Sequence, residues 1–519
     1  MAFCSSDERD FMAAVSRLVY VNPFLPERIE AERCALGGDF VPLQEVWSVR
    51  PETLEDTPNN VLLSERTQAL AASLRERISA GSEPSGRDLE LYVDLVTYAL
   101  YYRFEREFRD LAWGACDFRS QSRFFRCFRG EVERFLTFSG GVCVYSDSEI
   151  VHLFACLYQV RRAFHNIFRH IIGGSMAAAR LRANVWESVF THDIRRYRRL
   201  LYDRMGHFSV LITGASGTGK ELVARAVGLS RYIPFDISSE RFAFEPDSQF
   251  LPLNVSALSR SLLESELFGH CKGAFTGAMA DHAGYLESCT RNGTVFLDEI
   301  GEIEPEVQVK LLRVIETGEF HRLGETEVRR FEGKLIAATN RDLAAEMAEG
   351  RFRSDFFYRL CSDIVRTPSL GEQVHGAVDE LRGLVTYLAL RIVGDGDADE
   401  VTDDVMEWIE TELGLDYAWP GNVRELDQCV RNVVVRKRYV PPETGRTDVQ
   451  AAVQQILAGS LTADELMSWY CTRVYAATGS YQETGRRLEL DHRTVKSKID
   501  ADLLERLTGG SWHRESTRE

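Results

Sequence analysis

The sequence predicts a multidomain chain centred on an α/β core, a parallel sheet flanked by helices, with an all-helical region before it and a helical lid and small helical unit after it. Three observations carry that expectation. At 519 residues the chain exceeds what one ordinary core accommodates, so about three domains are expected. Residues 184–375 alternate short apolar runs with helical ones: FSVLITG, ELVARAVGL, TVFLDEI, VQVKLLRVIETG and KLIAATN. Residues 1–183 instead place apolar residues at helical spacing, in segments such as LELYVDLVTYALYYRFEREF and HLFACLYQVRRAFHNIFRHII.

Taken in order, residues 1–183 are rich in aromatic residues and arginine, and AGSEPSGR at 80–87 reads as a loop between helices rather than a domain linker. Asp7, Glu8, Arg9 and Asp10 stand where a secretory signal needs apolar residues, and no run of about 18 apolar residues occurs, so a cytoplasmic chain without a membrane partner is expected. Eleven cysteines, among them Cys4, Cys34, Cys116, Cys271 and Cys429, are scattered without a CxxC pair, which fits reduced thiols. A helical lid is expected over 376–440. Pro441, Pro442 and Gly445 mark a linker over 441–454, a final helical unit spans 455–508, and 509–519 is a polar tail. The formal net charge of −17 repels phosphate backbones, so any DNA contact is local and a protein that coats DNA is excluded.

The chemistry begins at Gly214-Ala215-Ser216-Gly217-Thr218-Gly219-Lys220, which follows an apolar strand and opens a helix. Glycines let the backbone N–H groups turn toward phosphate oxygens, the helix N-terminus adds a favourable dipole, and the lysine neutralises terminal phosphates. ATP is the expected ligand. Position 221 is Glu221, where most such loops carry a Ser or Thr that binds magnesium. The run Thr294 to Leu297 ends in Asp298 and Glu299, as a Walker B strand does. Asp298 is the expected holder of Mg2+, directly or through water, and Glu299 the group that polarises the attacking water.

Between these motifs lies Gly273-Ala274-Phe275-Thr276-Gly277-Ala278, which is foreign to ATP chemistry. Spacing alone leaves two readings open: a mobile tip presenting an aromatic to a partner, or a buried phenylalanine in a tight turn. The hexapeptide GAFTGA is the signature of the sigma-54-dependent activators, the bacterial enhancer-binding proteins, and the chain resembles that AAA+ family from about residue 184 to 440 and again in its last helical unit. The resemblance implies that this loop grips sigma-54. It also makes Glu221 a family trait. It assigns Asn254 the restraint of the Walker B glutamate, Asn340 the first sensor, Arg353 and Arg359 the arginine fingers offered to a neighbouring subunit, and Arg424 the second sensor. The arginine fingers rest on the resemblance rather than on spacing. TPSLGEQ after the fingers and the long stretch FDISSERFAFEPDSQ before Asn254 depart from the family pattern.

The segment SYQETGRRLELDHRTVKSKI, residues 480–499, reads as two short helices about a turn and resembles a Fis-type helix-turn-helix. Asp491 is placed to cap the second helix, and His492, Arg493, Lys496 and Lys498 to meet the major groove or phosphates. Gly485 suits a close helix crossing, while Glu489 occupies a turn position where a left-handed backbone costs about 1 kcal/mol. Asp395, Asp397 and Asp399 imitate the start of a calcium loop but lack its later ligands. The resemblance implies a transcription activator that binds upstream double-stranded DNA, assembles into a hexameric ring, and hydrolyses ATP to remodel the sigma-54 RNA polymerase. The alternative is a DNA-bound repressor or scaffold that binds ATP without remodelling.

Overall fold

The structure is a computed structural model that describes residues 3–42, 57–114, 118–138, 143–243, 250–441 and 461–508, together with residues 456 and 459. The residues expected to form the linker, apart from Pro441, and the tail lie outside that set. The chain divides into two compact units, residues 1–439 and 440–519.

The first unit opens with helices α1 (Ser6–Tyr20), α2 (Pro26–Leu36), α3 (Pro58–Ser79), α4 (Arg87–Arg103), α5 (Glu105–Ala112), α6 (Phe118–Leu136), α7 (Asp147–His170) and α8 (Met176–Phe190). Local chemistry fixes several ends. Ser5 with Glu8 and Ser146 with Glu149 form capping boxes at α1 and α7, and Arg169 and His170 complement the dipole where α7 stops. The expected loop at 80–87 is the turn from α3 to α4. Phe108, Phe125, Phe128 and Phe154 pack at the centre of these helices, with Phe108 and Phe154 wholly buried and their rings 5.5 Å apart.

A short helix α9 (Ile194–Arg196) leads to the sheet. Its strands are β1 (Val210–Thr213), β4 (Phe250–Asn254), β5 (Thr294–Asp298), β8 (Lys334–Thr339) and β9 (Asp363–Arg366), with the hairpins β2 (Phe235–Asp236) with β3 (Arg241–Phe242) and β6 (Glu319–Phe320) with β7 (Arg329–Arg330) outside it. The order is β4-β5-β8-β1-β9, and every pair is parallel, with Val210 opposite Ile336 on one side and Asp363 on the other. Strands buried on both faces read as continuous apolar runs, as VLIT and KLIAAT do.

Alternation along the strands separates the two faces. Val210, Ile212, Ile336 and Ala338 point to one core, Leu211, Val295, Leu297 and Ala337 to the other. The second face is covered by α11 (Arg260–Phe268), α13 (Pro305–Thr317) and α15 (Ser354–Leu360), with α12 (Tyr285–Ser288) and α14 (Leu343–Ala348) at its margins. The first is covered by α10 (Lys220–Gly228), α7 and α8, which contribute Val223, Ala163, Ile167, Val185 and Phe190.

That packing corrects the expected boundary between 183 and 184. The division falls inside α8, whose Leu181, Ala183, Val185 and Val189 share one core with the sheet. Nothing in MAAARLRANVWESVF breaks a helix, and its apolar face has the sheet to cover. The stretch that departs from the family pattern is part of the same joint. Phe235 of β2 lies 4.6 Å from Phe125, and Phe242 of β3 lies 4.1 Å from Tyr158 of α7. Residues 244–249 of that stretch lie outside the described set.

The stretch expected to form the lid holds α16 (Leu370–Val374), α17 (Val378–Val393), α18 (Ala398–Trp408) and α19 (Asn422–Arg436), packed about Leu384, Val405, Ile409, Trp419 and Leu426. In the second unit, α20 (Ala463–Thr478), α21 (Tyr481–Leu488), α22 (His492–Lys498) and α23 (Ala501–Thr508) bury Cys471, Tyr475, Val495 and Leu503. Among the described residues, no helix is long and apolar enough to cross a membrane.

Candidate functional site

Strand β1 ends at Thr213, and the chain turns at once through Gly214 to Gly219 into α10. Two of these glycines are forced by close approach. A Cβ on Gly214, at φ 152°, would stand 2.0 Å from Thr367 Oγ1, and one on Gly217, at φ 79°, would stand 2.4 Å from the Gly421 carbonyl. Lys220 is buried and donates from Nζ to the carbonyls of Gly214 and Ala215, at 3.0 and 3.2 Å. Burial lowers its pKa, against the raising pull of Glu299 and Asp298. Glu221 is turned aside, bonded to Arg225 one turn along α10.

The acidic pair completes the same edge of the sheet. Asp298 ends β5 in register with Asn254 of β4. Burial pushes the Asp298 carboxyl up, and neighbouring Glu299 pushes it further. Glu299 sits in the left-handed region at φ 58°, a conformation that costs a non-glycine residue about 1–3 kcal/mol and concentrates at functional sites. Its Oε2 accepts from the Asn340 backbone N–H at 3.3 Å. The acid is thus linked to Asn340, while Asn254 uses Oδ1 to accept from the N–H and hydroxyl of Ser256, at 3.0 and 2.8 Å. The resemblance assigns Asn254 the restraint of Glu299; here its Oδ1 caps the turn at Ser256.

Helix α19 and the turn before it reach the glycine-rich loop directly. Arg424 donates to Ser216 Oγ at 3.0 Å. Asn422, at φ 55°, donates to the Ser216 carbonyl and accepts from the Leu370 N–H, both at 2.9 Å, and the Val423 N–H donates to the Gly217 carbonyl at 3.1 Å. Sequence reading selected Arg424 and missed Asn422, which the run Pro420-Gly421-Asn422 signals as a residue tolerant of positive φ. Arg353 and Arg359, at the start and last turn of α15, are exposed and ion-paired with Asp355 and Glu316, at 2.6 and 3.0 Å. Neither is bonded to Asp298 or Glu299 among the described residues.

The Gly273–Ala278 loop is a closed tip. The Gly273 N–H donates to the Ala278 carbonyl at 2.9 Å, His270 pairs with His282 at the base, and Gly273 and Gly277 take φ of 83° and 106°. Phe275 is 41% exposed and Met279 85%, so the reading of a phenylalanine buried in a tight turn fails. The edge of the Phe275 ring leans on His270, centroids 5.0 Å apart. Missed by sequence reasoning, the segment between β6 and β7 braces this tip: the Leu323 carbonyl accepts from the Cys271 N–H at 3.0 Å, and Gly324 abuts Ala274.

Residues 189–365, which contain all of these groups except the lid, match the sigma-54 interaction domain family. The sigma-54 interaction domain belongs to the AAA+ ATPases, whose parallel sheet and flanking helices are those described above. The chain is 43% identical over 228 residues to the Nif-specific regulatory protein of Azotobacter vinelandii, a match covering 44% of this chain and 40% of that one. It is 33% identical over 309 residues to the luminescence regulatory protein LuxO of Vibrio campbellii, covering 56% of this chain and 64% of that one. The match thus spans less than two thirds of either relative. Among solved structures, NtrX from Brucella abortus aligns at a TM-score of 0.40 and 22% identity over 70% of this chain and 75% of its own.

In the second unit, Asp491 caps α22 by accepting from the Arg493 N–H at 2.8 Å, and Glu489 takes φ 56° in the turn. A Cβ on Gly485 would stand 2.6 Å from the Leu490 carbonyl, so α21 and α22 cross too closely for a larger residue. His492, Arg493 and Lys496 are exposed on α22. Lys498 is instead ion-paired with Asp464 of α20, which draws it away from the other three.

Proposed function

We propose that this chain is a sigma-54-dependent transcription activator that hydrolyses ATP to remodel the polymerase holding sigma-54. The observation that carries the proposal is the intact GAFTGA tip, held outward with Phe275 exposed, on a domain whose P-loop lysine and acidic pair are assembled at one sheet edge. The N–H groups of the glycine loop and the start of α10 cradle phosphates, and Lys220 exchanges its carbonyl partners for phosphate oxygens.

The donor set suits a hard divalent cation: Asp298 offers oxygen, its raised pKa records burial first and repulsion from Glu299 second, and phosphates and water would supply the remaining ligands that magnesium prefers. Magnesium bound there would neutralise charge on the phosphates. Glu299 orients and polarises the attacking water, and its bond to the Asn340 backbone couples that carboxylate to the sensor strand. Arg353 and Arg359, released from Asp355 and Glu316, serve a neighbouring protomer's nucleotide, so turnover requires a ring, taken to be hexameric. Arg424 and Asn422 carry the change at Ser216 into the lid, while His492, Arg493 and Lys496 hold DNA, with Lys498 steadying their helix.

Two variants test the reading. Glu299→Ala is expected to bind nucleotide and lose at least about 100-fold in turnover. Thr276→Ala is expected to retain ATPase activity within about twofold and to open no sigma-54 promoter. Unchanged turnover in the first overturns the catalytic assignment, and full promoter opening by the second overturns the role of the tip. ATP binding by the unaltered chain with neither turnover nor promoter opening would favour the repressor or scaffold reading.

A further inference from the structure

The run TPSLGEQ, residues 367–373, which departs from the family pattern, begins against the glycine-rich loop. Its first residue is placed by the sheet. Strand β9 pairs with β1 up to Arg366 opposite Thr213, and the Thr367 N–H continues that ladder by donating to the Thr213 carbonyl at 2.8 Å. Pro368 follows and disfavours a helical backbone at Thr367, which suits the exit from a strand. On the other side, Gly214 leaves room: a Cβ there would stand 2.0 Å from Thr367 Oγ1.

The Thr367 hydroxyl lies 2.7 Å from the Thr218 hydroxyl, and both residues are buried. Each hydroxyl has one hydrogen to give, so the pair has two orders. In one, Thr367 donates to Thr218, and Thr218 donates to the Ala215 carbonyl at 2.8 Å. In the other, Thr218 donates to Thr367, and Thr367 donates to the Thr213 carbonyl at 3.2 Å. The Thr213 carbonyl already has the Thr367 N–H, and its contact with the hydroxyl is the longest of the three, so the first order is favoured. That order supplies the Ala215 carbonyl with a donor. The same carbonyl is one of the two that hold Lys220 Nζ.

We propose that Thr367 is a positioning residue for nucleotide binding: through Thr218 it keeps the Ala215 carbonyl bonded when Lys220 moves from it to a phosphate, and so preserves the shape of the loop around the nucleotide. This role rests on the reading of the loop as an ATP site. Without the Thr367 hydroxyl, Thr218 loses the donor that sets its direction, and the loop rearranges before it takes phosphate. The same run is fixed at a second point, where Leu370 gives its N–H to Asn422 and Asn422 donates to the Ser216 carbonyl. The loop is thus held at Ser216 and at Thr218 by groups that touch no reacting atom. Their loss weakens ground state and transition state alike, which raises KM and leaves kcat in place.

The test joins calorimetric titration of the full chain with ADP, steady-state ATPase kinetics, and thermal unfolding without nucleotide. Thr367→Val keeps the branched shape and removes the hydroxyl; the Kd for ADP and the KM for ATP are expected to rise about tenfold, with kcat within about twofold. Thr367→Ser keeps the hydroxyl and is expected to hold both constants within about twofold of the unaltered chain. A lowered Tm in Thr367→Val with unchanged Kd and KM would reduce the hydroxyl pair to a stabilising contact and overturn the proposal. A loss confined to kcat, or equal weakening by Thr367→Ser, would overturn it as well. Should Thr367→Val fail to fold, Thr367→Ala decides by the same two constants. Affinity for ADP that is present in the unaltered chain and unchanged in Thr367→Val sinks this role alone, whereas no ADP binding by the unaltered chain sinks the nucleotide reading with it.

Discussion

Single residues carry the steepest constraints in this chain. Glu8 is held down to about 2 by bonds from Arg77, aided by the Ser5 N–H. Because its folded value lies below the ordinary 4.5, the pair stabilises the fold fully above about pH 4.5, and that contribution disappears as pH falls toward 2. Glu8→Gln is therefore expected to lower stability at pH 7 and leave it nearly unchanged at pH 2, measured by urea unfolding across that range. Which residues the sheet brings together was legible at this scale wherever a motif ties type to position: Gly214 to Lys220, Asp298 and Glu299 stand at or just beyond the ends of strands β1 and β5, as their order in the sequence predicts. Asn422 and Thr367 were not legible, because each acts through a backbone or hydroxyl contact with a residue about 150 to 200 positions away.

At the level of elements, the turn between α21 and α22 shows a rule broken and the position retained. Glu489 adopts the left-handed backbone that glycine takes freely. Glu489→Gly is expected to stabilise the second unit by about 1 kcal/mol, visible as a later unfolding of that unit in the full chain. Arg493→Ala with Lys496→Ala is expected to weaken upstream DNA binding at least about tenfold and to flatten its salt dependence, measured by titration at several salt concentrations. Strands β1, β5 and β8 and helices α10 and α13 were legible because apolar runs and turn residues punctuate residues 208–340, whereas β4 and β9 were not read as strands. The extent of α8 was not, because its apolar face looks the same whether it covers other helices or a sheet. The stretch at 235–242 departed from the family pattern without revealing why; its two phenylalanines make sense only once α7 is seen beside them.

For the molecule as a whole, the fold class was legible and the independence of the N-terminal region was not. Helices α7 and α8 cover one face of the central sheet, so this region and the nucleotide domain unfold together. A chain beginning at residue 184 is expected to be largely insoluble. Removing residues 440–519 is expected to leave the main thermal transition within about 3 °C, since that unit forms its own core. Expression yield and calorimetry of the two truncations check both statements. The aromatic latch formed by Phe235 and Phe242 has a practical corollary for chimeras. Grafting residues 189–365 onto foreign helices would leave two greasy rings without a socket, and such hybrids should clump unless both positions are first made polar.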